Sequence, residues 1–151
     1  MSNIAVRLSN AETNCELLEI VKDIEAHTRD SPERSVSYAH CLGGLFSNSS
    51  SLVRKGSLNS AVIVIATTPG SWEDLIAAYR YAILSPDREV SQHAITFLPQ
   101  FVAASLENAD SLIKAALEAV TRHPASSSIH IHVSQAMEVV KNIGFFKLSS
   151  R

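Results

Sequence analysis

His130 and His132, separated by Ile131, are the spacing in this chain that comes nearest to a metal site. On a strand, residues two apart share a face; on a helix they diverge by about 200°. A zinc site also needs further ligands, and no nearby carboxylate or cysteine supplies them. The expectation is a pair of exposed histidines at a helix start and no bound metal. His40 and Cys41 set a base beside a thiol, yet adjacent helical residues point about 100° apart and do not pair. Ser111 and Lys114 match the Ser-x-x-Lys tetrad of serine acylases and share a helical face, but its companion motifs are absent and helix initiation accounts for Ser111. No G-x-S-x-G, P-loop or dinucleotide fingerprint occurs. A lyase or hydrolase using His40, His93 or His130 with Cys41 is the enzyme reading that remains, with little to support it. No catalytic residue, metal or cofactor is assigned.

Binding has better candidates. Glu12, Glu16, Glu19 and Asp23 are spaced four, three and four apart, which on a helix lines four carboxylates along one face. Like charges at this spacing repel, and only Lys22 lies close. A partner bearing Lys and Arg would be steered to such a row; a plain solvated face is the other reading. Trp72, the single tryptophan, stands beside Glu73 and Asp74 at a helix start. It is either an exposed interface anchor or a capping-turn side chain packed on its own helix. One of Tyr79 and Tyr81 must face outward. Basic residues at Arg54-Lys55 and Lys141–Lys147 are too few for a nucleic-acid surface.

These residues are positioned by helices. Ser9-Asn10-Ala11-Glu12 reads as a capping box, followed by a helix with Leu17, Leu18, Val21 and Ile24 on one side. Ser31 and Pro32 open the next helix, which presents Val36, Ala39, Leu42 and Phe46 and is weakened by Gly43-Gly44. The run Ala61 to Ala66 is β-branched, and periodicity alone does not separate helix from strand there. Helix is chosen for residues 52–67 because no second strand stands nearby to pair with it. Ser71-Trp72-Glu73-Asp74 reads as a second capping box. Ser85 and Pro86 open a helix running to about Leu106, kinked at Pro99. Another begins at Asn108-Ala109-Asp110 and ends at His123-Pro124, and a last one spans about Ile129 to Asn142, with a fraying tail from Phe146. The sum is about seven helices in antiparallel neighbours.

One phrase recurs in this series: Val36-Ser37-Tyr38-Ala39, Val90-Ser91-Gln92-His93-Ala94 and Val133-Ser134-Gln135-Ala136, running on to Phe46, Phe101 and Phe145. Two copies are preceded by Ser31-Pro32-Glu33-Arg34 and Ser85-Pro86-Asp87-Arg88. A repeated helical unit implies a stack of helix pairs. The valine, alanine and leucine positions resemble the second helix of HEAT-type repeats over most of residues 13–145. They depart from that pattern in carrying Ser37, Ser91 and Ser134 where a basic residue is common. The resemblance implies an all-α superhelix of stacked helix pairs, here one domain over residues 1–151, that acts by binding.

Composition agrees with a folded domain: 151 residues, 46% apolar, and a net charge of −2 that argues against a dedicated nucleic-acid binder. Charge alternates in blocks of −4, +3, −4 and +3 over residues 1–33, 34–70, 71–110 and 111–151, which stacking would turn into patches. Cys15 and Cys41 are expected to be buried free thiols, a single disulfide being the alternative. The start, Met1-Ser2-Asn3-Ile4, lacks a basic region and apolar stretch, so no signal peptide and a cytoplasmic location are expected; no apolar run is long enough for a bilayer. In size, absence of catalytic motifs and acid-rich blocks the chain resembles the small helical immunity proteins. That resemblance implies a partner in the form of a basic nuclease toxin domain, whose cationic groove Glu12, Glu16, Glu19 and Asp23, or Trp72, Glu73 and Asp74, would fill. The alternative is an adaptor or regulatory subunit of a larger complex. Oligomeric state is open.

Overall fold

The computed structural model describes residues 4–30, 40–68, 72–123 and 127–149, and the side chains of most of them up to Asn142. All regular structure among the described residues is helical, and the fold is an all-α helical repeat. The chain divides into two compact units, Met1–Tyr79 and Arg80–Arg151.

In the first unit, α1 (Ile4–Asn10) leads into α2 (Asn14–Asp30). The cap of α2 lies four residues beyond the expected Ser9 box, because Ser9 and Asn10 are themselves helical. Thr13 Oγ1 accepts the Glu16 amide at 3.2 Å, and Glu16 Oε2 reaches back to accept the Glu12 amide at 3.0 Å. The first bond is the forward half of a capping box at Thr13-Asn14-Cys15-Glu16; the return bond falls on the amide of Glu12, one residue before the cap. Ile20, Val21 and Ile24 are buried, with Leu17 and Leu18 half-buried.

The expected helix from Ser31 through Val36 and Ala39 lies largely outside the described residues. Its described end, His40–Leu45, is a 3-10 helix, η1, that buries Leu42 and Leu45. Gly43 explains the tight passage. A Cβ there would stand 2.8 Å from the Cβ of Ala78, a distance that only glycine allows.

Helix α3 (Ser51–Thr67) resolves the ambiguous run in favour of helix. Ser50 caps it, its side chain accepting from the Val53 amide. Val53, Leu58, Ala61, Val64 and Ile65 are buried together with Arg54, Ser57 and Ser60. A helix buried on most sides carries little amphipathic signal, which is why its β-branched stretch mimics a strand. It packs chiefly against α2: Gly56 faces Leu18, and Ser60 Oγ donates to Glu25 Oε1 at 2.9 Å. Both contacts advance in the same sense along the two helices.

Helix α4 (Glu73–Ile83) begins in the first unit and ends in the second. In the second unit follow α5 (Arg88–Thr96), α6 (Leu98–Ala104), the 3-10 turn η2 (Leu106–Asn108), α7 (Ala109–Arg122) and α8 (Ser127–Ser149). The cap of α5 is Asp87, whose side chain accepts from the Glu89 and Val90 amides. Ser85 instead holds the Asp87 amide at 3.1 Å, so Pro86 precedes the cap rather than opening the helix. Pro99 does more than kink the next stretch. It lacks the N–H that would bond back into α5, and the chain breaks at Phe97 into two helices, with Pro99 in the first turn of α6. Helix α8 is longer than the expected 129–142 and packs mainly on α6, with further contact to α7 and α5. Leu98, Phe101, Val102, Leu112, Ala116, Val133 and Ala136 are buried in this unit.

Candidate partner-binding surface

The acidic row is not the continuous stripe that its spacing predicts. Glu12 lies ahead of α2, which begins at Asn14, so it is not one of four carboxylates on a helix face. Glu16 is engaged in the cap. Asp23 takes an ion pair from α1: Arg7 Nη2 donates to its Oδ2 at 2.7 Å, both side chains being almost half exposed. Among the described residues only Asp23 of the four carries an ion pair; Glu19 is exposed on the helix without one. What the row borders is a groove of about 380 Å³ between α1 and α2, lined by Val6, Arg7, Asn10, Glu16, Glu19 and Ile20. Sequence reasoning missed α1 and therefore the groove. Ile4 and Leu8, one helical turn apart, were the available signal; Ile4 is buried and Leu8 half-buried.

The second candidate, Trp72 with Glu73 and Asp74, splits differently. Trp72 is buried, at 7% exposure, and its Nε1–H donates to the Thr68 carbonyl at 2.9 Å. It is the packed turn residue and not an exposed anchor. Its ring lies 5.7 Å from that of His40, tilted by 34°. Glu73 and Asp74 are exposed in the first turn of α4, where their charge suits the positive end of the helix dipole. Asp74 Oδ2 lies 3.9 Å from His40 Nδ1, too far for a hydrogen bond. That nitrogen is buried without one.

Cys41, beside His40 in sequence, is half-buried, and burial raises its thiol pKa. Cys15 is exposed on α2, against the expectation of a buried thiol, and neither cysteine is in a disulfide. Lys114 binds Asp110 at 3.0 Å, and Ser111 is exposed. His130 is exposed, while His132 keeps a buried Nδ1 without a hydrogen bond. Among the described residues no three His, Cys, Asp or Glu side chains come together in a metal-binding group, and no helix is long and apolar enough to cross a membrane. Of the tyrosine pair, Tyr79 is fully buried against Phe46, edge to face at 6.4 Å, and Tyr81 is 76% exposed.

No curated protein matches the chain. The family model described as Integrator complex subunit 1, R4 domain, matches residues 5–105. That span takes in the whole of α2 to α6 and most of α1, including both candidate surfaces. It covers well over half of the sequence, and the chain belongs to the family of the Integrator complex subunit 1 R4 domain.

Proposed function

We propose that this chain is a non-catalytic subunit domain that binds protein partners within a larger assembly. The observation that carries the reading is the family match over residues 5–105, to a domain of a protein named as a subunit of a complex. The helical repeat supports it: stacked helices bury one side of each element and offer the rest as broad surface. The reading requires neither cofactor nor nucleic acid.

A toxin-neutralising role draws less support. Size, absence of catalytic motifs and acid-rich blocks motivate it, but the acidic row it would use is broken: Glu12 is off the helix, Glu16 is used in the cap and Asp23 is paired with Arg7. The reading is tested by size-exclusion of a lysate containing the tagged chain at native level. The expected result is elution far above the 16.4 kDa of the free chain, with the same partners retained in fixed ratio after a second purification. Elution throughout at the mass of one chain overturns it.

A further inference from the structure

We propose that the groove between α1 and α2 is a docking site for a segment of a partner protein that presents an aliphatic side chain flanked by lysine or arginine. This rests on the reading of the chain as a subunit domain and names the chemistry that one of its surfaces selects. The groove's lining mixes apolar and charged side chains. Ile20, which is buried, and Val6, which is 57% exposed, both line it. Glu16 and Glu19 line the same groove. Among the described residues of the lining the one cation, Arg7, is paired with Asp23 at 2.7 Å, and Lys22 is not part of the lining. The lining therefore carries uncompensated negative charge next to exposed aliphatic surface.

That combination selects its occupant. A purely basic ligand would leave Val6 wet, and a purely apolar one would desolvate Glu19 without a partner, which is unfavourable. A segment carrying both covers the valine and meets the carboxylates with charge-assisted hydrogen bonds. The Arg7–Asp23 pair links the short α1 to α2 beside the groove. Glu16 keeps one carboxylate oxygen, Oε1, outside the cap, because Oε2 holds the Glu12 amide.

The test uses the full chain, isotopically labelled, titrated with the peptide Lys-Leu-Lys-Lys-Leu-Lys and followed by amide chemical shifts. Two control peptides replace leucine by serine and lysine by glutamate. The expected shifts concentrate on Val6, Asn10, Glu16, Glu19 and Ile20, and neither control reproduces them. Glu19→Lys, at an exposed position without an ion pair among the described residues, is expected to weaken binding by about ten-fold and leave the helical spectrum unchanged. Val6→Ser supplies the apolar arm and should also weaken it. Shifts scattered over other acidic residues, equal binding of the serine peptide, or an unchanged affinity for Glu19→Lys would each overturn the proposal. Concentration-dependent dimerisation abolished by Glu19→Lys would assign the groove to a second copy instead and overturn the partner named here. The two readings fail separately. If Glu19→Lys stays in the same assembly as the parent chain, the groove is not the docking site and the subunit reading stands; if the parent chain is monomeric in the lysate, the subunit reading falls whatever the peptide does.

Discussion

Ser91 donates its hydroxyl to the backbone carbonyl of Ile83 across 2.7 Å, fully buried. Ile83 is the last residue of α4, and the closing carbonyls of a helix have no partner within it. The serine of the repeated Val-Ser phrase thus closes the end of one helix from the first turn of the next. Its counterpart in the third copy, Ser134, is exposed on α8, although the flanking Val133 and Ala136 are as buried as Val90 and Ala94. The first copy, at Ser37, lies outside the described residues. Ser91→Ala is expected to cost about 1–3 kcal/mol by stranding a buried acceptor, and Ser134→Ala to stay within about 0.5 kcal/mol of the parent. Urea unfolding followed by helical signal compares the two, and equal effects would contradict this account.

Two glycines separate in the same way. At Gly43 an added methyl would meet the Ala78 Cβ at 2.8 Å, an atom fixed to its backbone, so η1 and α4 would have to move apart. Gly43→Ala is expected to destabilise by about 1–3 kcal/mol. At Gly56 the obstacle is the tip of Leu18, at 2.9 Å, which can rotate aside. The gain from removing glycine from a helix interior, about 0.5–1 kcal/mol, offsets that shift, and Gly56→Ala should fall within about 1 kcal/mol of the parent. Thermal melting distinguishes them.

The two thiols differ in reach and in acidity. Cys15 is exposed, whereas Cys41 is half-buried and its thiol is pushed up by desolvation. The thiolate is the reacting species. With a small alkylating reagent at neutral pH, Cys15 is expected to be modified first. The rate at Cys41 should climb at a higher pH than that of an ordinary thiol. Peptide mapping by mass spectrometry gives both rates, and faster modification of Cys41 at neutral pH would count against the arrangement.

Tyr79 sets an alkaline limit on stability. Complete burial holds its phenol well above the ordinary value. Below the ordinary tyrosine pKa, about 10, the phenol is neutral whether the chain is folded or unfolded. Above it, only the unfolded chain releases the proton, so stability falls as pH rises toward the folded pKa. Denaturant midpoints should decline above pH of about 10, and Tyr79→Phe should lessen the decline. An identical slope for the variant would show that other groups set it.

The helical character of the chain was legible because its apolar residues recur at helical spacing: Val21 and Ile24 in α2, or Leu112, Ala116 and Ala119 in α7, are buried as that spacing demands. Residues 52–67 were legible as helix only by elimination, since a helix buried on most sides loses its periodic contrast. Cap positions were misplaced by a few residues at α2 and α5, because Ser, Thr and Asp are near-equivalent caps and which of them is used depends on where the chain enters. The acidic row was legible as a list of residues and misread as a surface.

The order of residues determined, by itself, that the described elements are helical and that Pro99 interrupts them, since these follow from local sterics and backbone hydrogen bonding. Only the tertiary structure decided which polar groups are spent and which remain free. Arg7 meets Asp23 across sixteen positions, Ser91 reaches Ile83, and Trp72 turns inward to Thr68, leaving Glu19 beside Val6 at an open groove. Spacing along one helix fixes which side chains share a face; what stands opposite that face is set by the packing of elements distant in sequence.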